Sequence, residues 1–166
     1  MSRAFVNEDA GNDRPDLLEL PVPPGPNIVT PRGLAALRER LAQRQADLAA
    51  LKARADRLDK LPEAAAERDL RWLEARLKAA VVIDPSTHDL TEVAFGLAVT
   101  VADEDGRETT YEIVGEDEAD ATRNRIAPNS PLARALLGAR VGDVVTWHRP
   151  AGAVELEILR IAHAHP

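Results

Sequence analysis

Cysteine is absent from the chain, which excludes disulfides, thiolate metal sites and cysteine nucleophiles together. Aromatic residues make up 3% of it, so a core has to come from Leu, Val, Ile and Ala, which the 45% hydrophobic content supplies. Long apolar runs are lacking too. The stretch Ala79-Ala80-Val81-Val82-Ile83 is far too short to span a bilayer. The first residues carry Glu8, Asp9, Asp13 and Asp16 rather than the basic start and apolar stretch of a signal peptide, so a cytoplasmic chain with no membrane association is expected. The sequence also contains no Gly-rich phosphate loop and no nucleophile–base signature. His88, His148, His163 and His165 show no ligand spacing, which gives no reason to expect a metal or a cofactor of the chain's own.

What is present is charge, at 30% of the residues, unevenly spread. Residues 32–58 hold seven basic side chains against three acidic, whereas residues 84–166 hold seven against fifteen. Opposite signs on two regions predict two surfaces with different partners. Residues 1–27 contain Pro15, Pro21, Pro23, Pro24 and Pro26 without apolar periodicity and read as an extended tail. Thr30-Pro31 is a helix start. Beyond it Leu34, Leu37, Leu41, Leu48, Leu51, Ala55 and Leu58 recur at three- and four-residue steps, with Arg44 as the polar break. Asp59-Lys60-Leu61-Pro62 interrupts the stripe, and Ala66, Leu70, Leu73, Leu77 and Ala80 resume it. Two striped helices joined so briefly are antiparallel neighbours, about 40 Å and 27 Å long at 1.5 Å per residue.

Residues 93–101 and 107–114 read as strands joined across Asp103-Glu104-Asp105-Gly106. Ser130-Pro131 opens a short helix that Gly138 ends, and residues 141–148 and 153–161 give a last strand pair. The expected class is α+β: an antiparallel coiled-coil hairpin over residues 28–83, then an antiparallel β-sheet domain with one short helix over 84–166.

Several strings are more specific than these patterns. Ile113-Val114-Gly115-Glu116-Asp117-Glu118-Ala119-Asp120, Asn129-Ser130-Pro131-Leu132-Ala133-Arg134-Ala135-Leu136-Leu137-Gly138 and Val141-Gly142-Asp143-Val144-Val145 resemble, in order, the C-terminal signatures of the GreA/GreB family. Thr30-Pro31-Arg32-Gly33-Leu34 resembles the start of that family's hairpin. The resemblance implies an FKBP-like second domain. It implies a monomer that docks at the secondary-channel rim of RNA polymerase through Asn129, Ser130 and Pro131 and sends the hairpin into the channel. In the family, tip carboxylates help hold the polymerase's second Mg²⁺ during cleavage of backtracked RNA, and the factor is not itself an enzyme.

At the tip this sequence departs from the family. An Asp-x-x-Glu-Asn type of motif is replaced by Asp59 and Glu63, four residues apart around Pro62, with Ala64 where the Asn would stand. The arms also read as roughly two turns short, about 11 Å. Solvated turn charges are the favoured reading of both carboxylates, and a regulator that plugs the channel without cleaving is the favoured function. A true cleavage factor touching the polymerase Mg²⁺ stays open, as do a prolyl isomerase and a coiled-coil interaction protein. The basic helix face, with Arg38, Arg44, Lys52 and Arg54, is open between contact with nascent RNA and pairing with Glu67, Asp69 and Glu74 of the other arm. The acidic string at 116–120 lacks the EF-hand pattern and reads as a solvated turn. Trp72 and Trp147 are expected to seal the hairpin base and the sheet.

Overall fold

The computed structural model describes residues 15–164; the first fourteen residues of the tail and His165 lie outside it. Strand β1 (Asn27–Val29) leads into helix α1 (Pro31–Lys52), and α2 (Leu61–Lys78) returns to β2 (Ala80–Val82). Thr30 caps α1 as its sequence predicts: the side-chain oxygen accepts from Gly33 N at 3.0 Å, with Pro31 in the first turn. Pro62 likewise lies in the first turn of α2. With 22 and 18 residues the helices run about 33 Å and 27 Å.

The first arm is therefore shorter than the heptad stripe implies. It stops at Lys52, and residues 53–60 form the tip, leaving Ala55 off the seam and Leu58 93% exposed. The stripe persists in the sequence where the backbone has already turned, because Asp56 and Asp59 accept from the amides of Leu58 and Leu61 two residues on and so favour turns over helix. Along the seam, Leu37 and Leu73 are buried together with Val29, flanked by Leu34, Leu41, Trp72, Leu77 and Ala80.

β1 and β2 pair in parallel, Asn27 opposite Ala80 and Val29 opposite Val82, and close the hairpin at its base. This pairing corrects the sequence reading twice over. Asn27 is not the end of a tail but a strand residue only 2% exposed, and residues expected to form only a helical hairpin carry a parallel strand pair. Three-residue strands carry too little period-two pattern to announce themselves.

The second half is a five-stranded sheet in the order β5-β4-β3-β7-β6. Its members are β3 (Leu97–Ala102), β4 (Glu108–Ile113), β5 (Arg125–Ile126), β6 (Val144–Trp147) and β7 (Val154–His163), with α3 (Pro131–Leu136) between β5 and β6. All pairings are antiparallel except β4 with the two-residue edge strand β5. One face buries Leu97, Val99, Val101, Ile113 and Ile158 against Leu132, Ala133 and Leu136 of α3. The α+β class holds: two long helices and a mostly antiparallel sheet. Trp147 flanks this core edge-on to Tyr111, with ring centroids 6.5 Å apart, as expected for an aromatic that seals a sheet. Among the described residues no helix is long and apolar enough to cross a membrane.

Candidate functional site: a helix start, a clamp and a hairpin tip

Three places in the fold carry chemistry. The first is the start of α3. The Ser130 side chain accepts from Ala133 N at 3.3 Å and donates to the Ala127 carbonyl at 2.7 Å, while Asn129 and Pro131 stay exposed. Beside Pro131 the alternation of β6 turns Thr146 outward, and with Arg134, Ala135 and His148 it lines a depression of about 350 Å³. Leu137, Val141 and Val144 are exposed nearby in sequence. Thr146 and His148 were missed from the sequence, since a polar strand position looks the same whether or not a surface depression lies beneath it.

The second place is the joint between hairpin and sheet, and it overturns the reading of the acidic string as solvated for Asp117 and Glu118, whose side chains are 9% and 7% exposed. Gly115 packs so closely on β1 that an added Cβ would come 2.6 Å from the Ile28 carbonyl oxygen. That approach brings the following turn, Glu116–Glu118, onto the hairpin base. Asp117 Oδ2 accepts from Arg76 Nε at 2.9 Å and from Asn27 Nδ2 at 3.1 Å. The Arg76 guanidinium also donates to Asn27 Oδ1 at 2.5 Å, and Asn27 Nδ2 lies 3.2 Å from the Arg76 carbonyl. Arg76 is 2% exposed, yet its charge is paired and hydrogen-bonded, as burial requires.

Glu118 performs the same service for α1. Its carboxylate accepts from Thr30 Oγ1 at 2.6 Å, Thr30 N at 3.3 Å and Gly115 N at 3.2 Å, with Arg32 Nε 3.8 Å away. Arg32 reaches on to Glu112 of β4. The sequence signal for all this is three consecutive carboxylates, Glu116, Asp117 and Glu118, which face two arginines far away in the chain. Trp72 sits at the same end, flanked by the guanidinium carbons of Arg40 and Arg76 at 5.5 and 5.9 Å from its ring, and donates its Nε1–H to the Pro21 carbonyl.

The third place is the tip. Asp59 is exposed and its Oδ1 accepts from Leu61 N at 2.9 Å, a local turn bond. Glu63 is 7% exposed rather than solvated: Arg57 holds it with a two-pronged pair at 2.9 and 2.7 Å. The Arg57 hydrogen bond holds the Glu63 carboxyl below its ordinary range, helped by the charges of Arg57, Lys60 and Arg54. The two predicted tip carboxylates are thus not brought together on one open surface.

A pH expectation follows. Because Glu63 is lowered in the folded state, the bond's contribution is full above the ordinary glutamate value of about 4.3 and fades as pH falls through the lowered value. Amide exchange in residues 53–60, taken relative to the intrinsic rate at each pH, should accelerate over that acidic window. Arg57→Ala should give the fast exchange at neutral pH, with no further acid step; an acid step unchanged by the substitution would contradict the assignment.

On the basic face, Arg44 turns into the polar break of the seam, pairing with Asp69 of α2 and, at 3.4 Å, with Asp47. Burial opposes ionisation of Asp69, but hydrogen bonds from Arg68 and Arg44 outweigh it and leave the carboxyl lowered. Lys52 reaches Glu67 at 3.2 Å. Arg54 bonds the carbonyls of Leu51 and Asp59, and Arg38 is exposed. Two of these four cations therefore pair across the hairpin with Glu67 and Asp69; Glu74 is exposed. Among the described residues no group of three or more His, Asp or Glu side chains is placed to hold a metal ion.

The family model described as "Transcription elongation factor, GreA/GreB, C-term" matches residues 87–163. The transcription elongation factor GreB of Neisseria meningitidis serogroup B is 47% identical over 98 residues, 58% of this chain and 60% of that protein. The transcription elongation factor GreA of Alkalilimnicola ehrlichii is 44% identical over 100 residues, covering 59% and 63%. The chain thus spans about three fifths of the length of the curated relatives it matches. Among solved structures, the GreA factor homolog 1 (Gfh1) of Thermus thermophilus is 27% identical, over 82% of this chain and 98% of that one, with a TM-score of 0.39. Residues 87–163, which carry the α3 start and the acidic turn of the clamp, are thus the part of this chain that is similar to the GreA/GreB family.

Proposed function

We propose that the chain is a transcription elongation factor that docks on bacterial RNA polymerase through Asn129, Ser130 and Pro131 and presents its hairpin to the secondary channel as a plug. The observation that carries this reading is the geometry of the α3 start. Ser130 is engaged in capping, which leaves Pro131 and the amide of Asn129 exposed beside the Thr146–His148 depression, on the domain that the family model matches. A helix start offers oriented N–H groups to a partner, and an exposed proline adds apolar area at little conformational cost.

The tip favours plugging over cleavage. Mg²⁺ needs carboxylate oxygens free to sit near 2.0–2.1 Å. Glu63 already gives both oxygens to Arg57, and Asp59 is occupied with its own turn. The pairing of Arg44 and Lys52 across the hairpin leaves Arg38 as the basic-face residue most available to nascent RNA.

Pro131→Glu should weaken binding to core polymerase by roughly ten-fold, the effect of about 1.4 kcal/mol. The first helical turn tolerates Glu, which also suits the positive helix end, so thermal stability should stay near that of the parent. Equal affinity of the two chains would remove the docking reading. On a backtracked complex the parent should slow nucleotide addition without shortening the transcript; transcript shortening that disappears in Asp59→Ala would replace the plug with a cleavage factor.

A further inference from the structure

We propose that Glu116 is a positioning residue that ties the direction of the hairpin to occupancy of the surface at Asn129. This rests on the docking reading for the identity of the partner, but not for the coupling itself. The two oxygens of Glu116 serve different parts of the molecule. Oε1 accepts from Nδ2 of Asn129, an exposed residue of the α3 start, at 2.9 Å. Oε2 faces the buried Nη2 of Arg76 at 3.4 Å.

The second distance is long for a bond between two charges, which closes to about 2.7–2.9 Å when nothing opposes it. Glu116 is divided between an outside amide and a buried guanidinium. Arg76 is itself part of α2 and in turn holds Asn27 of β1 and Asp117, so whatever binds Arg76 binds β1 and α2 to the sheet domain. A polar path runs from the exposed amide of Asn129 through Glu116 and Arg76 to β1 and α2.

A partner that takes the Asn129 amide releases Oε1. The carboxylate then turns and closes on Arg76, where burial makes the charge pair worth more than the same contact in water. Docking thereby stiffens the hairpin at its root. By linkage the reverse also holds: a hairpin already fixed in direction favours docking by the same factor. Nothing at the tip needs to touch the docking surface for the two to be coupled.

The chain has no cysteine, so spin labels on introduced Leu58→Cys and Glu104→Cys report the angle between tip and sheet without background. In the free chain, Asn129→Ala imitates capture of the amide. It should narrow the inter-label distance distribution and slow exchange of the Arg76 Nε–H about five-fold. That is the low end of the usual range of roughly 5–150-fold, because Glu116 is 39% exposed and water screens it. Glu116→Gln keeps an acceptor for Asn129 but no charge for Arg76, and in that background Asn129→Ala should change neither quantity. Unchanged labels and exchange in Asn129→Ala, or equal changes with and without Glu116→Gln, would overturn the assignment. A second arm adds saturating core polymerase, which should narrow the distribution in the parent and not in Glu116→Gln. Failure of polymerase to bind the parent would count against the docking reading alone, since the free-chain variants decide the role of Glu116 without it.

Discussion

Arg76→Met should cost about 3–5 kcal/mol of unfolding free energy in urea titration, the usual loss when one member of a buried ion pair is removed. Methionine retains much of the stem's apolar contact with the hairpin base, so the loss reports charge rather than volume. What remains is Asp117 with its side chain 9% exposed, its strongest donor gone and only the Asn27 amide left to answer it. The Asn27 side-chain Oδ1, on a residue 2% exposed, loses its guanidinium partner in the same step. The companion variants fix the interpretation. Asp117→Leu alone should also be strongly destabilising, because it strands the guanidinium. The double variant should recover much of both losses, since replacing both partners removes the stranded charge. A loss below about 1 kcal/mol in Arg76→Met would mean that water reaches the guanidinium and that the clamp is not a buried pair. The effect should extend to the hairpin's direction, because Arg76 holds β1, α2 and the Glu116–Glu118 turn at once.

How far the sequence led depends on how local each feature is. The Thr30 and Ser130 caps, the leucine seam from Leu34 to Leu51, and strands β3, β4, β6 and β7 are written in patterns a few residues long and stand in the fold as expected. The end of α1 was misplaced because Leu58 continues the spacing after Asp56 and Asp59 have turned the backbone. The clamp was invisible for a different reason. Asn27, Arg76 and Asp117 lie 49 and 41 residues apart in the chain, and each taken alone has the composition of a surface residue. The string from Gly115 to Glu118 could be identified as a signature without revealing that it is a joint, because a carboxylate's partner decides whether it is solvent-facing or buried. At the tip the same blindness ran the other way. Glu63 stands in the sequence as a solvated turn charge, and Arg57, six residues back, holds it.

Gly33→Ala should change sign with the residue at 118, and that reversal is the sharpest test of the α1 half of the clamp. Glycine inside a helix is ordinarily a loss of roughly 0.5–1 kcal/mol relative to alanine, so an exposed Gly33 would be improved by the substitution. Here an added Cβ would come within 2.2 Å of Glu118 Oε2 and 2.3 Å of its Cδ. A free glutamate would swing aside at little cost. This one is held by Thr30 N, Thr30 Oγ1 and Gly115 N, and Gly115 itself is pinned against the Ile28 carbonyl. Moving it leaves two backbone amides and the capping hydroxyl without their charged acceptor, each worth about 1–3 kcal/mol when buried. Gly33→Ala in the parent should therefore destabilise by about 2–4 kcal/mol, and Glu118→Ala by a similar amount, since both remove the same carboxylate from the same donors. With Glu118→Ala already present the obstacle is gone, the helix propensity of alanine is all that remains, and Gly33→Ala should stabilise by about 0.5–1 kcal/mol. Additive losses in the double variant would mean that Gly33 is required for some contact other than Glu118; a shared, non-additive loss that reverses sign places the glycine in the helix for the carboxylate's sake.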